Sequence, residues 1–255
     1  MLRRWCIALA VLALALIPAL TASGASAATP QGHQTPVRSG GLRSHPGISN
    51  AAESTNWSGY AVDGSTYTSV SASWVQPTGT CTSATRYSSF WVGLDGDDSS
   101  TVEQTGTDTD CVDGTPQYYG WYEMYPSDSY SFGDTVNAGD DITASVVYEG
   151  SNEFKLTLAD TTQNWSVSTT QTLANAARSS AEVIIEAPCC TNSGGILPLA
   201  DFGTVNVSDS VVDGSPIGDL SPTQIIMVDS SGHDKDTVSS LSSDENFSAT
   251  WERAS

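Results

Sequence analysis

Residues 180–188 read SAEVIIEAP. In an extended chain successive side chains alternate between two faces. Val183, Ile185 and Ala187 then share one face, as a buried face requires, and Glu182, Ile184 and Glu186 share the other. The run of β-branched residues predicts a strand. Six further segments carry the same signature: TYTSVSASWVQP (66–77), RYSSFWVGLDG (86–96), QYYGWYEMYP (117–126), DDITASVVYEG (140–150), EFKLTLAD (153–160) and TQIIMVD (223–229). Clusters of Gly, Asp, Asn and Ser separate them. Only TLANAARSS (172–180) has a helical pattern. Short strands without βαβ alternation imply an all-β fold, one antiparallel β-sandwich of two packed sheets of the concanavalin-like or jelly-roll type.

The sandwich does not take up the whole chain. The start, MLRRWCIALAVLALALIPALTASGASA, has Arg3 and Arg4, then an apolar run, then Ala25-Ser26-Ala27. Residues 1–27 are the pattern of a secretory signal peptide. Residues 28–52, poor in aromatic and large apolar residues, read as a pro-segment or linker, which leaves 53–255 as the folded domain. Of nine Lys and Arg residues four precede residue 50, whereas all 29 Asp and Glu follow it, so the remainder carries a net charge of about −24. Such a surface repels nucleic acid and anionic membranes. With so few cations it gains little positive charge in acid, which fits an extracellular protein working at low pH. A monomer acting on protein or peptide substrates is expected. Cys81, Cys111, Cys189 and Cys190 form an even set in an exported chain, favouring disulfides. Cys81–Cys111 with Cys189–Cys190 is the preferred pairing, and a split of the adjacent cysteines between two partners is the alternative.

The residues available for chemistry are few. His233, in SSGHDKD (230–236), is the only histidine after residue 50 and no G-x-S-x-G occurs, which argues against a serine triad. The acidic stretches DGDDSS (95–100) and DTDCVDG (108–114) lack EF-hand spacing and read as solvated turns, so no metal and no cofactor is expected. Carboxylates and amides remain. Glu182 and Glu186 share a face but stand about 13 Å apart along the strand. That exceeds the roughly 5–9.5 Å between paired glycosidase carboxyls, so either acid needs a partner from another strand. The candidates are Gln104 in STVEQTGTD (100–108), an uncharged amide in a strand that otherwise reads as exposed and acidic, Glu123 between Trp121 and Tyr125 in GWYEMYP (120–126), and Trp91 with Asp95 in FWVGLDGD (90–97).

Taken in order, NWSGY (56–60), FWVGLDGD, VEQTGTD, YYGWYEMYP and SAEVIIEAP resemble the motifs of the glutamic peptidases, the eqolisin family. The similarity continues beyond LPLADFG (197–203). The resemblance implies a two-sheet sandwich and a catalytic glutamine and glutamate, which fall on Gln104 and Glu186. It implies supporting or substrate-binding positions at Trp91, Asp95, Glu123 and Trp57. Where fungal members place acids after the catalytic glutamate, this chain has Ala187-Pro188-Cys189-Cys190. An amide beside a carboxylate suits peptide hydrolysis. The glutamate can activate water, the amide can donate to the oxyanion, and no like-charge pair forms. A glutamate near its ordinary pKa of about 4.3 would stay largely ionised in mild acid. The alternative reading is a secreted carbohydrate-binding or glycoside-hydrolysing sandwich, with Trp121, Tyr118, Tyr119 and Tyr125 stacking on sugars and Glu123 with Glu186 as an acid pair.

Overall fold

The computed structural model describes residues 51–97, 99–189 and 195–255. The signal-peptide and most of the pro-segment expectations, and the Cys189–Cys190 pairing through residue 190, lie outside the described residues. The strands are β1 (Ala51–Ser54), β2 (Trp57–Asp63), β3 (Ser69–Val75), β4 (Ser89–Leu94), β5 (Val102–Val112), β6 (Thr115–Tyr125), β7 (Tyr130–Thr135) and β8 (Asp141–Gly150). They continue with β9 (Glu153–Asp160), β10 (Trp165–Thr172), β11 (Ser180–Glu186), β12 (Thr204–Val212), β13 (Ser215–Pro216), β14 (Thr223–Met227), β15 (Asp236–Val238) and β16 (Phe247–Trp251).

They form two sheets. One runs β1-β14-β2-β11-β4-β5-β6-β7, the other β10-β9-β8-β3-β12-β16-β15, with β13 paired to β12. The expected two-sheet sandwich is the observed fold. Pairing between strands is antiparallel except that β1 runs parallel to β14. Two-residue turns fix several registers. Asp113-Gly114 joins β5 to β6, Ser151-Asn152 joins β8 to β9 and Asp213-Gly214 joins β12 to β13, each with both residues at positive φ. That backbone twist matches the twist of the flanking strands.

The principal core lies between the sheets. Phe90, Val92 and Leu94 of β4 and Val183 and Ile185 of β11 belong to the same buried cluster as Val70, Ala72 and Trp74 of β3 and Val146 of β8. The Cys81–Cys111 disulfide is present and ties the segment before β4 to the end of β5. The outer face of the first sheet carries a second cluster, built from Trp57, Ala61, Trp91, Val102, Tyr119, Trp121, Ile184 and Ile225. β11 is therefore buried along both faces. The alternation read in SAEVIIEAP is correct, but neither side is a dull solvent face.

Three expectations need correction. TLANAARSS forms no helix: Asn175 and Arg178 take positive φ, and the backbone N–H groups of Arg178 and Ser179 donate to Asp95. A left-handed residue interrupts a helix, and side-chain capture of the backbone replaces its ladder. β5, read as exposed and acidic, is buried nearly throughout, because it lies between β4 and β6 with the second sheet on one face. DTDCVDG is consequently no solvated turn over its first half; Asp108 and Asp110 are buried within β5.

Candidate active site

Sheet register places the candidate residues. Cross-strand partners lie side by side on one face. Trp57, Glu186, Ser89, Asp108 and Tyr119 form one row across β2, β11, β4, β5 and β6. Gly59, Ile184, Trp91, Gly106 and Trp121 form the next, and Ala61, Glu182, Gly93, Gln104 and Glu123 the third. All three rows lie on the outer face of the first sheet. Glu186 and Gln104 are not opposite one another. Trp91 is the diagonal neighbour of each, so it stands midway between them. The positions that would otherwise crowd this diagonal are Gly93 and Gly106. A Cβ on Gly106 would clash with the Phe90 carbonyl oxygen and stand 2.6 Å from the Trp91 Cβ. A Cβ on Gly93 would meet the Trp91 ring at 2.8 Å and the Gln104 Cβ at 3.2 Å. The glycines keep the floor low, and two long polar side chains can lean toward each other over Trp91.

Each end of the diagonal is anchored. Glu186 is fully buried. Its Oε2 accepts from the Trp91 indole N–H at 2.8 Å and its Oε1 from Asn56 Nδ2 at 3.2 Å. Asn56 is itself fixed by the Ser54 hydroxyl, which donates to its Oδ1 at 3.0 Å. The Trp57 ring packs edge-on against Trp91, with centroids 4.9 Å apart, and its N–H faces the carboxylate without reaching hydrogen-bond geometry. Burial raises the Glu186 pKa well above the ordinary carboxylate range; the Trp91 donor opposes this and nearby Glu123 adds to it. The expected ordinary pKa is therefore not observed, because the whole side chain is withdrawn from water. At the other end, Gln104 Nε2 donates to Glu123 Oε2 at 2.8 Å, which fixes the orientation of the amide.

Asp95 does a different job from its neighbours. Its carboxylate accepts from the backbone N–H groups of Arg178 and Ser179 at 2.7 and 2.8 Å, and so fastens the loop leading into β11. Glu182 shares the row of Gln104 and is fully buried, with its pKa raised well above the ordinary range by burial, then by Asp97, Asp95 and Glu103. Two features escaped the sequence reading. Asn56 grips Glu186, although nothing in NWSGY singles this residue out for the site. Asp108 accepts from Trp121 Nε1 at 2.6 Å and from the Tyr119 hydroxyl at 2.8 Å. The same hydroxyl lies 2.8 Å from Asp110 Oδ2. No local pattern in the chain announces that arrangement.

The indole above Glu186 sets the pH at which the acid ionises. Trp91→Phe keeps the ring but deletes the donor. A hydrogen bond to a charged group is worth about 1.5–3 kcal/mol, so the pH at which Glu186 ionises should move up by roughly one to two units. A pH–rate profile for the variant checks this, and an unmoved acidic limb contradicts it. The buried acids also govern stability. Burial raises Glu103 to about 9 and Asp236 to about 7, and raises Glu182 and Glu186. A folded-state value above the unfolded one means that the folded domain holds the proton more tightly. The stabilisation is complete below the unfolded values near 4 and is lost as pH rises through each folded value, between about 4 and 9. Asp140, Asp213 and Asp229 are lowered and act oppositely, their stabilisation being lost only as pH falls below about 4. The melting temperature of the domain should therefore be highest near pH 3–4 and fall toward neutrality. A melting temperature that climbs from pH 4 to 7 would show that these acids are not held protonated.

Comparison with known proteins extends the picture. The model of the family described as the peptidase A4 family matches residues 55–251. The crystal structure of scytalido-glutamic peptidase with a transition state analog inhibitor is 30% identical, with a TM-score of 0.69, over 78% of this chain and 98% of its own. SCP-B, described as a member of the eqolisin family and solved with the tripeptide Ala-Ile-His, is 26% identical over the same shares, with a TM-score of 0.64. Aspergilloglutamic peptidase from Aspergillus niger is 28% identical over 66% of this chain and 99% of its own, with a TM-score of 0.58. No curated protein matches the chain.

Proposed function

The chain belongs to the peptidase A4 family, the glutamic peptidases, and from that membership we propose a secreted, acid-active endopeptidase in which Gln104 and Glu186 hydrolyse the peptide bond through an activated water. The observation that carries the proposal is the diagonal Glu186–Trp91–Gln104 on the outer sheet face, floored by Gly93 and Gly106. A peptide laid across it presents its carbonyl to Gln104 and its far side to a water held by Glu186.

Glu186, as carboxylate, takes a proton from that water, and the hydroxide adds to the carbonyl carbon. Negative charge gathers on the carbonyl oxygen. Gln104 meets it with an amide N–H, since Glu123 already directs the other. The proton on Glu186 then passes to the departing amine, the C–N bond breaks, and the carboxylate returns. Burial suits both halves of this cycle: a desolvated carboxylate is a stronger base than one in water, and its conjugate acid lies beside the leaving group. On the acid side activity falls as Glu186 takes up its proton, at a pH that burial places above the ordinary carboxylate range. It falls toward neutrality as buried acids such as Asp236 lose their protons and the fold weakens.

Glu123 with Glu186 does not serve as a glycosidase pair in this reading, because Glu123 is engaged by Gln104. Residues 1–27 act as signal peptide and 28–52 as a cationic pro-segment. Since β1 begins at Ala51 and pairs with β14, the final cut falls at or before Ala51, two residues ahead of the boundary read from composition. The mature domain works as a monomer on protein substrates, apart from nucleic acid and membranes. Incubation of the mature domain with an unfolded protein and, separately, with β-glucan near pH 4 tests the assignment. Cleavage of the protein alone is expected, and hydrolysis of the glucan without proteolysis would overturn it.

A further inference from the structure

The loop SSGHDKD, which supplies the only histidine of the domain, takes no part in the reaction above. It nevertheless holds Lys235, a lysine that is only 4% exposed. Its backbone is clamped on both sides: its N–H donates to the Met227 carbonyl at 2.7 Å, and its carbonyl accepts from the N–H groups of Glu252 and Arg253. Its Nζ lies 3.5 Å from the carbonyl oxygen of Thr55. The next residue is Asn56, whose amide holds Glu186 Oε1 at 3.2 Å, and whose carbonyl accepts from the N–H of Ala187, just after the glutamate, at 2.8 Å. A buried ammonium thus sits behind the peptide that grips the reacting carboxylate.

Burying an ammonium is costly unless it serves a partner, and although Asp236 and Asp229 favour its charge, both have other donors. Asp236 Oδ2 accepts from the Ser58 hydroxyl. Asp229 receives His233 Nδ1 at 3.3 Å and Arg253 at 3.9 Å. Burial lowers the Lys235 pKa to about 8, and Asp236, Asp229 and Glu186 each oppose that shift. Glu186 is therefore within electrostatic reach. Glu53, Asp234 and Glu252 line the neighbouring surface hollow with His233 and Arg253. On the other side of Glu186 stands Glu123, an acid that disfavours its ionisation.

We propose that Lys235 is a positioning residue for the glutamic peptidase reaction, its ammonium fixing the Thr55–Asn56 peptide against Glu186 and supplying the counter-charge that lets this buried glutamate serve as a base. The inference rests on the assignment of Glu186 made above. In an acidic domain with five cations beyond residue 50, it gives one of them a reason to be inside.

The direct test uses nuclear magnetic resonance. The chain has two lysines, Lys155 and Lys235, so the lysine side-chain signals of the mature domain resolve into two titrations, with exposed Lys155 as internal reference. Coupling between two charges is reciprocal. Glu186→Gln should lower the Lys235 titration midpoint by about half a unit or more and leave Lys155 in place. Unmoved Lys235 would overturn the proposal, even if the same variant is inactive and the catalytic assignment stands. The complementary test is the pH profile of kcat/KM. Lys235→Met should push the acidic limb upward by a similar shift, and Lys235→Arg should restore it. A variant that loses rate equally at every pH would reduce Lys235 to a packing role and defeat the inference.

Discussion

Glu186→Gln should yield a folded domain whose kcat/KM on an unfolded protein at acid pH has fallen by roughly 10³–10⁴-fold, near the upper end of what general acid–base catalysis supplies. The change is nearly isosteric. The substituted amide can still accept from the Trp91 indole through its carbonyl oxygen, but its NH2 then faces the Asn56 amide, so one of the two contacts that grip the residue is given up. What disappears is the capacity to take a proton from water and return it to the amine. General acid–base catalysis alone is worth about 10²–10⁴-fold, and here one group performs both transfers. The fold should not suffer. The replacement removes a buried carboxyl whose ionisation is opposed by burial, so the variant should melt at or above the wild-type temperature near neutral pH. Loss of activity together with a loss of cooperative unfolding would point to a structural role for Glu186 instead.

Gln104 should matter in a different way. Gln104→Ala removes one oxyanion donor, a loss of roughly 10²–10³-fold, and releases Glu123 from its 2.8 Å contact. Gln104→Glu is more informative. It sets a second carboxyl against Glu123 at the distance of a hydrogen bond, so the two must titrate as a coupled pair sharing a proton. Near neutrality the pair repels, no donor faces the oxyanion and activity should be nearly abolished. In stronger acid one member is protonated and can donate, so part of the activity should return. The ratio of Gln104→Glu to wild-type kcat/KM should therefore rise as pH falls. A constant ratio would mean that the amide acts through something other than its hydrogen-bond donor.

The parts of this molecule that the sequence made legible are those with a local signature. Val183, Ile185 and Ala187 alternating with Glu182, Ile184 and Glu186 specify a strand and its two faces. Asp-Gly and Ser-Asn pairs specify the tight turns. Trp121, Glu123 and Tyr125 do share a face, and Cys81 does meet Cys111. Misreadings arose where tertiary placement decides the outcome. Seven of the eleven residues of β5, VEQTGTDTDCV, are Glu, Gln, Asp or Thr, a composition that looks like surface. The strand is buried because both its edges are paired and its polar side chains find indole, phenol and amide donors on β6 and around β3: Trp121 and Tyr119 reach Asp108, and Gln76 and Trp74 reach Thr109 and Thr107. TLANAARSS failed for a related reason, since Asp95, 83 residues earlier, captures the backbone of Arg178.

The site was half visible on the same grounds. Spacing excludes a Glu182–Glu186 pair and points to partners on other strands, Gln104 and Glu123 among them. Which of them meets which depends on sheet register, and register is a long-range property. Asn56 and Lys235 were out of reach because their importance comes from contacts between residues far apart in the chain. Lys235 approaches Thr55 across 180 positions. The pKa of Glu186 was misjudged for the same cause: the acid sits in a strand whose polar face is covered by tryptophans, and solvent exposure cannot be read from alternation alone.

The most direct test of the Gln104–Glu186 pair is a double-variant cycle on one peptide substrate near pH 4, with kcat/KM measured under single-turnover conditions. Residues that act on the same transition state as a unit give strongly non-additive losses. Gln104→Ala combined with Glu186→Gln should therefore be no more than a few-fold worse than Glu186→Gln alone. If the two losses multiply instead, so that the double variant falls by roughly a further 10²–10³-fold, the residues act independently and the pair does not exist as a catalytic unit.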